Sequence, residues 1–205
     1  MSLFITFEGG EGAGKSLQSR ALYRRLSKLV VPVVLTHEPG VTPLGRKIAH
    51  WLKWGDRMAV SPMAELMLFN ASRAQLIEEV IRPEMAKGKV VICDRYTDST
   101  IAYQSYGRRL DLDMVKAVNE AAAQGVVPDL TILLDIAAGD GFARKQGQKP
   151  DRFEREAADF HRRVRDGYLK LAEKEPKRWL VVDAGQSKER IRQIIWEKVS
   201  SLLKA

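Results

Sequence analysis

Four residues near the start of the chain have the types and spacing to hold a polyphosphate. Gly9, Gly14, Lys15 and Ser16 fill the fixed positions of G-x-x-x-x-G-K-[ST]. Glycines let a backbone curl into a concave nest of N–H groups with no Cβ in the way. A helix opening at Lys15 aims its free N–H groups and positive dipole end at the same spot. Lys15 brings a mobile charge for outer phosphates, and the Ser16 hydroxyl suits Mg²⁺. The cradle Gly9, Gly10, Glu11, Gly12, Ala13, Gly14, Lys15, Ser16 is therefore expected to bind a triphosphate.

Two acids complicate that cradle. Glu8 immediately precedes Gly9, and Glu11 lies inside the loop. Glu8 would repel a phosphate unless it meets a metal or a sugar hydroxyl, and Glu11 poses the same problem. Nothing from Gly10 to Ala13 is basic, so further positive charge must come from elsewhere. Arg144, Lys145, Lys149 and Arg152 are the obvious source. They lie in the segment 138–152, rich in Gly, Lys, Arg, Gln and Asp, which reads either as a solvated loop or as a closing lid.

A second charged strand end follows Val90–Cys93. Asp94 can hold Mg²⁺ directly or through water. Arg95 can grip a phosphate bidentately, the alternative being a local salt bridge that caps the strand. Downstream, Ser99, Tyr103 and Gln104 add hydroxyl and amide groups. Phe69 and Arg73, four residues apart, share a helical face. They could hold a nucleobase by stacking and hydrogen bonding, although spacing alone favours a core Phe beside an exposed Arg.

Five apolar runs must position these groups: Leu3–Phe7, Val30–Leu35, Val90–Cys93, Leu130–Leu134 and Leu180–Val182. They are mostly continuous rather than alternating, as in strands buried on both faces. Helical patterns separate them, which predicts a parallel sheet covered on both sides. Pro32 argues for an edge strand, or for one beginning at Val33. After the loop, Leu17, Ala21, Leu22, Leu26 and Leu29 recur at helical spacing, and residues 43–54 read as a further helix. A helix capped by Ser61-Pro62 should end or kink at Arg82-Pro83. Further helices are expected over 113–124, from about Phe153 to Lys174, with Phe153, Phe160, Val164, Tyr168 and Leu171 along one stripe, and after a Ser187 cap.

The chain has 205 residues, 45% hydrophobic and 29% charged, which suits one α/β domain spanning 1–205. Its net charge of +8 is spread thinly except over Arg144–Arg165, which favours a site for small polyanions over nucleic-acid binding. No apolar run reaches membrane-spanning length. The single cysteine, Cys93, forbids an internal disulfide and agrees with a cytoplasmic location. With three scattered histidines, no zinc site is suggested. Neither an Asn-Lys-x-Asp nor an Asp-x-x-Gly motif occurs, which argues against a GTPase switch.

Taken together, Phe4–Ser16, His37–Gly45, Phe69–Gln75, Asp94–Gln104 and Asp151–Glu154 resemble the thymidylate kinase family of P-loop nucleoside monophosphate kinases, in the family's order over nearly the whole length. The most specific piece is Asp94-Arg95-Tyr96-x-x-Ser99-Thr100-x-Ala102-Tyr103-Gln104. The resemblance implies a three-layer P-loop NTPase fold, a five-stranded parallel sheet with helices on both faces, and a homodimer. It implies transfer from ATP, with Mg²⁺, to dTMP. By that resemblance Phe69 stacks on thymine, Arg73 bonds its carbonyl edge, and Arg95 holds the acceptor phosphate. Tyr103 and Gln104 then lie near sugar and base, and Glu8 near the sugar hydroxyl and metal. Ser99 and Glu38 join the dTMP side, Ser16 and Asp94 the metal. Lys15, Arg95, Arg144 and Arg152 carry the catalytic charge. Where the family often reads Arg-Glu-Pro-Gly-Gly-Thr, this chain has His37-Glu38-Pro39-Gly40-Val41-Thr42.

Overall fold

The computed structural model describes residues 2–54, 59–145, 147 and 149–204. Strands β1 (Leu3–Glu8), β2 (Val33–His37), β3 (Val90–Asp94), β4 (Leu130–Asp135) and β5 (Trp179–Asp183) form one parallel sheet in the order β2-β3-β1-β4-β5. The continuous apolar runs are explained by burial on both faces. On one side Ile5, Phe7, Ile92 and Ile132 meet Leu22 and Leu26 of α1 (Lys15–Lys28), and Ile191, Ile195 and Val199 of the last helix. On the other, Phe4, Val91 and Cys93 meet Leu76, Ile77 and Ile81. A third cluster gathers Leu133, Phe153, Phe160, Val164 and Tyr168.

Both expectations raised by Pro32 hold: β2 is an edge strand and begins at Val33. Val30 does not pair; it turns the chain at φ 60°. Strand register sets a row of polar groups on the carboxyl edge, with Asp94 opposite Phe7 on one side and His37 on the other. In open α/β sheets that edge is where ligands bind.

In α1, Leu22 and Leu26 are buried, whereas Leu17, and Leu29 just past its end, are exposed. The inward face near the loop is instead built from Lys15, Gln18 and Ser19, because that turn abuts the polar cleft rather than the core. Helix α2 spans Pro43–Trp54. Helix α3 (Pro62–Leu76) begins as expected, with the Ser61 hydroxyl accepting from the Ala64 N–H. It does not stop at Pro83. A π-helical stretch, Ile77–Ile81, leads into a last turn, Arg82–Ala86. The widened turn lies just ahead of Pro83, which has no N–H to give.

Helix α4 (Thr97–Thr100) likewise widens into a π-helical stretch, Ile101–Gly107, and α5 (Leu112–Ala123) ends at Gln124, φ 48°, and Gly125. The segment expected to be a loop or lid is partly helical, as α6 (Ala138–Ala143); Gln146 and Gln148 fall outside the described residues. The long helix starts later than periodicity suggests, as α7 (Ala158–Lys174), because Asp151 Oδ1 accepts from the Phe153 and Glu154 N–H groups and ties that stretch into a turn. Helix α8 spans Lys188–Lys204, its start capped by the Ser187 hydroxyl. Among the described residues no helix is long and apolar enough to cross a membrane.

Gly12 and Gly141 bring loop and α6 into backbone contact. A Cβ on Gly12, whose φ is +69°, would lie 1.9 Å from the Gly141 carbonyl oxygen; one on Gly141 would lie 2.2 Å from that of Glu11. Gly12→Ala is therefore expected to cost about 2 kcal/mol, through combined left-handed strain and overpacking against backbone that cannot yield. Urea unfolding checks this; an unchanged midpoint refutes it.

Candidate active site

The turn after β1 curls through Gly9, Gly12 and Gly14 at φ 135°, 69° and 94°. Its concave side is braced by Lys15, whose Nζ donates to the carbonyls of Gly9 (2.9 Å) and Gly10 (2.7 Å). Burial, then the neighbouring Arg95, lowers the Lys15 pKa to about 8, against the pull of Glu11, Asp94 and Glu8. The Ser16 hydroxyl donates to Asp94 Oδ2, so α1 and β3 meet through an oxygen pair.

Arg95 leaves β3 with φ 71°, its N–H donating to the Phe7 carbonyl at 2.9 Å. Non-glycine residues rarely adopt that region, and those that do cluster at functional sites. Its guanidinium donates to Glu11 Oε1 (2.6 Å), the Gly9 carbonyl (3.2 Å) and the hydroxyls of Ser99, Tyr103 and Tyr168. The Tyr103 hydroxyl also donates to Glu11 (2.9 Å), and Lys145 Nζ stands 3.7 Å from it. Although burial pushes the Glu11 carboxyl up, Arg95, Lys15 and Lys145 hold it well below the usual carboxylate range. Glu11 is thus the counter-charge on which three cations converge.

Glu8 is buried and accepts three hydrogen bonds: from the Tyr96 N–H (2.8 Å), the Ser99 hydroxyl and the Tyr168 hydroxyl (3.0 Å). Burial, then repulsion from Asp98, raises its pKa to about 7, against the lowering effect of Ser99, Arg95 and the Tyr96 N–H. Between pH 4.5 and about 7 the folded chain therefore holds a proton the unfolded chain releases. Stability from this group is present below 4.5 and declines as pH rises through that window. Glu8→Gln should flatten the fall in urea midpoint between pH 5 and 7; an identical slope in both proteins would count against the assignment. Tyr168 was legible only as part of an apolar stripe. A tyrosine in such a stripe signals a polar end that needs a partner.

A cleft of about 570 Å³ runs from Gly12–Ser16 past Arg95 to an aromatic end where the Phe69 and Phe153 centroids lie 5.7 Å apart. Arg73 lines it but is only 1% exposed, so the exposed arginine favoured by spacing alone is a buried one. The cause is Glu38, whose Oε2 accepts from Arg73 Nε and Nη2 (3.0 and 2.7 Å) and whose Oε1 accepts from Nε (3.3 Å); burial raises the Glu38 pKa and Arg73 opposes this. The remaining Arg73 donors go to Asn70, Asn119 and Thr100. All five N–H groups are thereby directed at protein oxygens, and any bond to a base would be shared with one of them. Gln104 and Thr100 also line this end.

Of the lid cations, Arg144 lines the cleft and donates to the Ala184 carbonyl at 2.9 Å, and Lys145 lines it beside Glu154. Lys149 lies over the Trp54 ring at 5.7 Å. Arg152, expected among the catalytic charges, points elsewhere. Its guanidinium donates to Glu65 and to the Leu52 carbonyl, because the fully buried Glu65 carboxylate demands cationic partners. Lys15, Arg95 and Arg144 are thus brought to one cleft and Arg152 is not.

A phosphate loop after β1, an acid–arginine pair at the end of the neighbouring β3, and Arg144 and Lys145 lining the same cleft just after α6 define a P-loop nucleotide kinase. The family model described as thymidylate kinase matches residues 7–195. A thymidylate kinase of Dehalococcoides mccartyi is 56% identical over 204 residues, covering 100% of this chain and 99% of that one. One from Halothermothrix orenii is 47% identical, with 98% of each covered. The crystal structure of thymidylate kinase from Ehrlichia chaffeensis superposes with a TM-score of 0.77 at 33% identity, covering 98% of both chains. The chain belongs to the thymidylate kinase family.

Proposed function

We propose that this chain transfers the γ-phosphoryl group of ATP to the 5′-phosphate of dTMP, giving dTDP and ADP. The observation that carries the reading is a single cleft with Lys15 in a phosphate loop at one end, Arg95 beside it, and Phe69 on the wall beyond. An acceptor phosphate on Arg95 takes the position that Glu11 now fills, and its base extends toward Phe69. The nucleophile is a phosphate oxygen already ionised at neutral pH, so the step needs no general base. Catalysis is then positioning and charge neutralisation by Lys15, Arg95 and Arg144. The adjacent Ser16 hydroxyl and Asp94 carboxylate are hard oxygen donors that fit Mg²⁺, which keeps several waters and takes one or two protein ligands beside phosphates. When bound, the ion neutralises the donor phosphates.

The working protein is one domain acting as a cytoplasmic homodimer. Exposed Leu44 and Trp51 on α2 and Met63 and Met67 on α3 support a self-association face. Light scattering that returns a monomer at working concentration would refute this. The activity is tested by ADP release from ATP and Mg²⁺ across dTMP, dUMP, UMP, CMP, AMP, GMP, thymidine and DNA. Turnover with dTMP, weaker with dUMP, is expected; stimulation by DNA alone rejects the reading.

A further inference from the structure

Glu65 lies outside the reaction described above, yet it holds a group that lines the cleft. It is 0% exposed and sits on α3, one turn from Phe69. Its carboxylate accepts from Gln104 Nε2 (2.8 Å), from Arg108 Nε and Nη2 (3.1 Å each) and from Arg152. Both of its oxygens lie in ion pairs with guanidinium groups, and a carboxylate so paired acts as an acceptor. The Gln104 amide must therefore turn its NH₂ to Glu65. Its oxygen has no partner among the described residues and is not among the sealed-off orphan atoms, so it opens on the cleft that Gln104 lines. On the preceding helical turn, Thr100 Oγ1 already accepts from Arg73 Nη2 at 2.9 Å, which leaves its hydroxyl proton free to donate. The base end consequently offers a hydroxyl donor beside an obligate acceptor.

We propose that Glu65 is the positioning residue that sets pyrimidine specificity: by fixing the Gln104 amide it selects a base carrying a ring N3–H next to a carbonyl and rejects one whose N3 is an acceptor. The inference rests on the proposed function. Thymine and uracil present N3–H and a carbonyl. Cytosine presents an N3 lone pair to the Gln104 oxygen, and two acceptors facing each other in a dry site leave both unpaired. Sites built on hydrogen bonds discriminate strongly for this reason.

The test compares kcat/KM for dTMP and dCMP in the wild type and in Glu65→Gln, whose neutral amide lets Gln104 flip. The dTMP-to-dCMP ratio should fall by about tenfold or more, with a gain in dCMP turnover. A purely structural role would lower both substrates in proportion, and an unchanged ratio overturns the proposal. Should Glu65→Gln not fold, the wild-type protein decides by NMR. The Gln104 side-chain NH₂ protons should be protected from exchange both with and without dTMP; freely exchanging protons overturn the idea. A wild type inactive on dTMP would instead refute the proposed function, so the two failures are separable.

Discussion

Lys15→Met lowers kcat on the order of 10²–10³-fold, in line with the loss of one charge aimed at a transferring group. The lysine is 7% exposed and its ammonium bonds two loop carbonyls, so it is held in place at the loop. Two effects on stability oppose each other. Methionine abandons the two carbonyl bonds, but it also removes a charge that burial disfavours strongly enough to pull the pKa down to about 8. The folded state should therefore persist, with a thermal midpoint within a few degrees of wild type, while turnover collapses. Single-turnover phosphoryl transfer separates the two quantities. A rate within threefold of wild type, a threshold of roughly 0.7 kcal/mol in barrier, would remove Lys15 from the mechanism.

Arg95→Ala has the other large effect, a loss of about 10³-fold in kcat/KM for dTMP, because the same side chain binds the acceptor phosphate and aims it for in-line attack. Arg95→Lys should recover little, since a point charge cannot reproduce a fork that reaches Glu11, Gly9 and three hydroxyls at once. The alanine variant also strands the Glu11 carboxylate. It should lose about 2 kcal/mol of stability, less than a fully buried pair because both side chains retain some exposure. Adding Glu11→Gln to Arg95→Ala should restore that stability without restoring turnover. If the double variant regains activity, Arg95 serves only to neutralise the loop carboxylate. If neither quantity moves in the single variant, its assigned role is wrong.

The chemistry at the start of the chain was legible because it is local. A glycine loop, a lysine and a serine at fixed spacing need only the strand before them and the helix after them, and both arose from runs of side chains whose preferences agree. The parallel five-stranded sheet was legible for the same reason: continuous apolar strands have no solvated face to signal. Even the β2 edge was announced, by one proline that cannot donate to a ladder.

What the sequence could not decide were contacts between groups far apart in the chain. Glu11 read as a charge that would repel a phosphate; that Arg95, 84 residues away, donates to it was not visible. Arg152 read as a lid cation, because nothing in its neighbourhood reveals that Glu65, 87 residues distant, is buried and needs it. Tyr168 read as core, which it is, but its hydroxyl bond to Glu8 was not visible; Arg73 read as exposed from spacing alone, whereas Glu38 holds it inside. These long-range pairings have the same physical origin. Burying a charge is costly unless a partner is delivered to it, and only the folded chain decides which partner arrives. Sequence alone determined that a glycine loop carrying Lys15 and Ser16 would join β1 to α1; tertiary structure decided which charges surround that loop and which are held by Glu65 at the other end of the cleft.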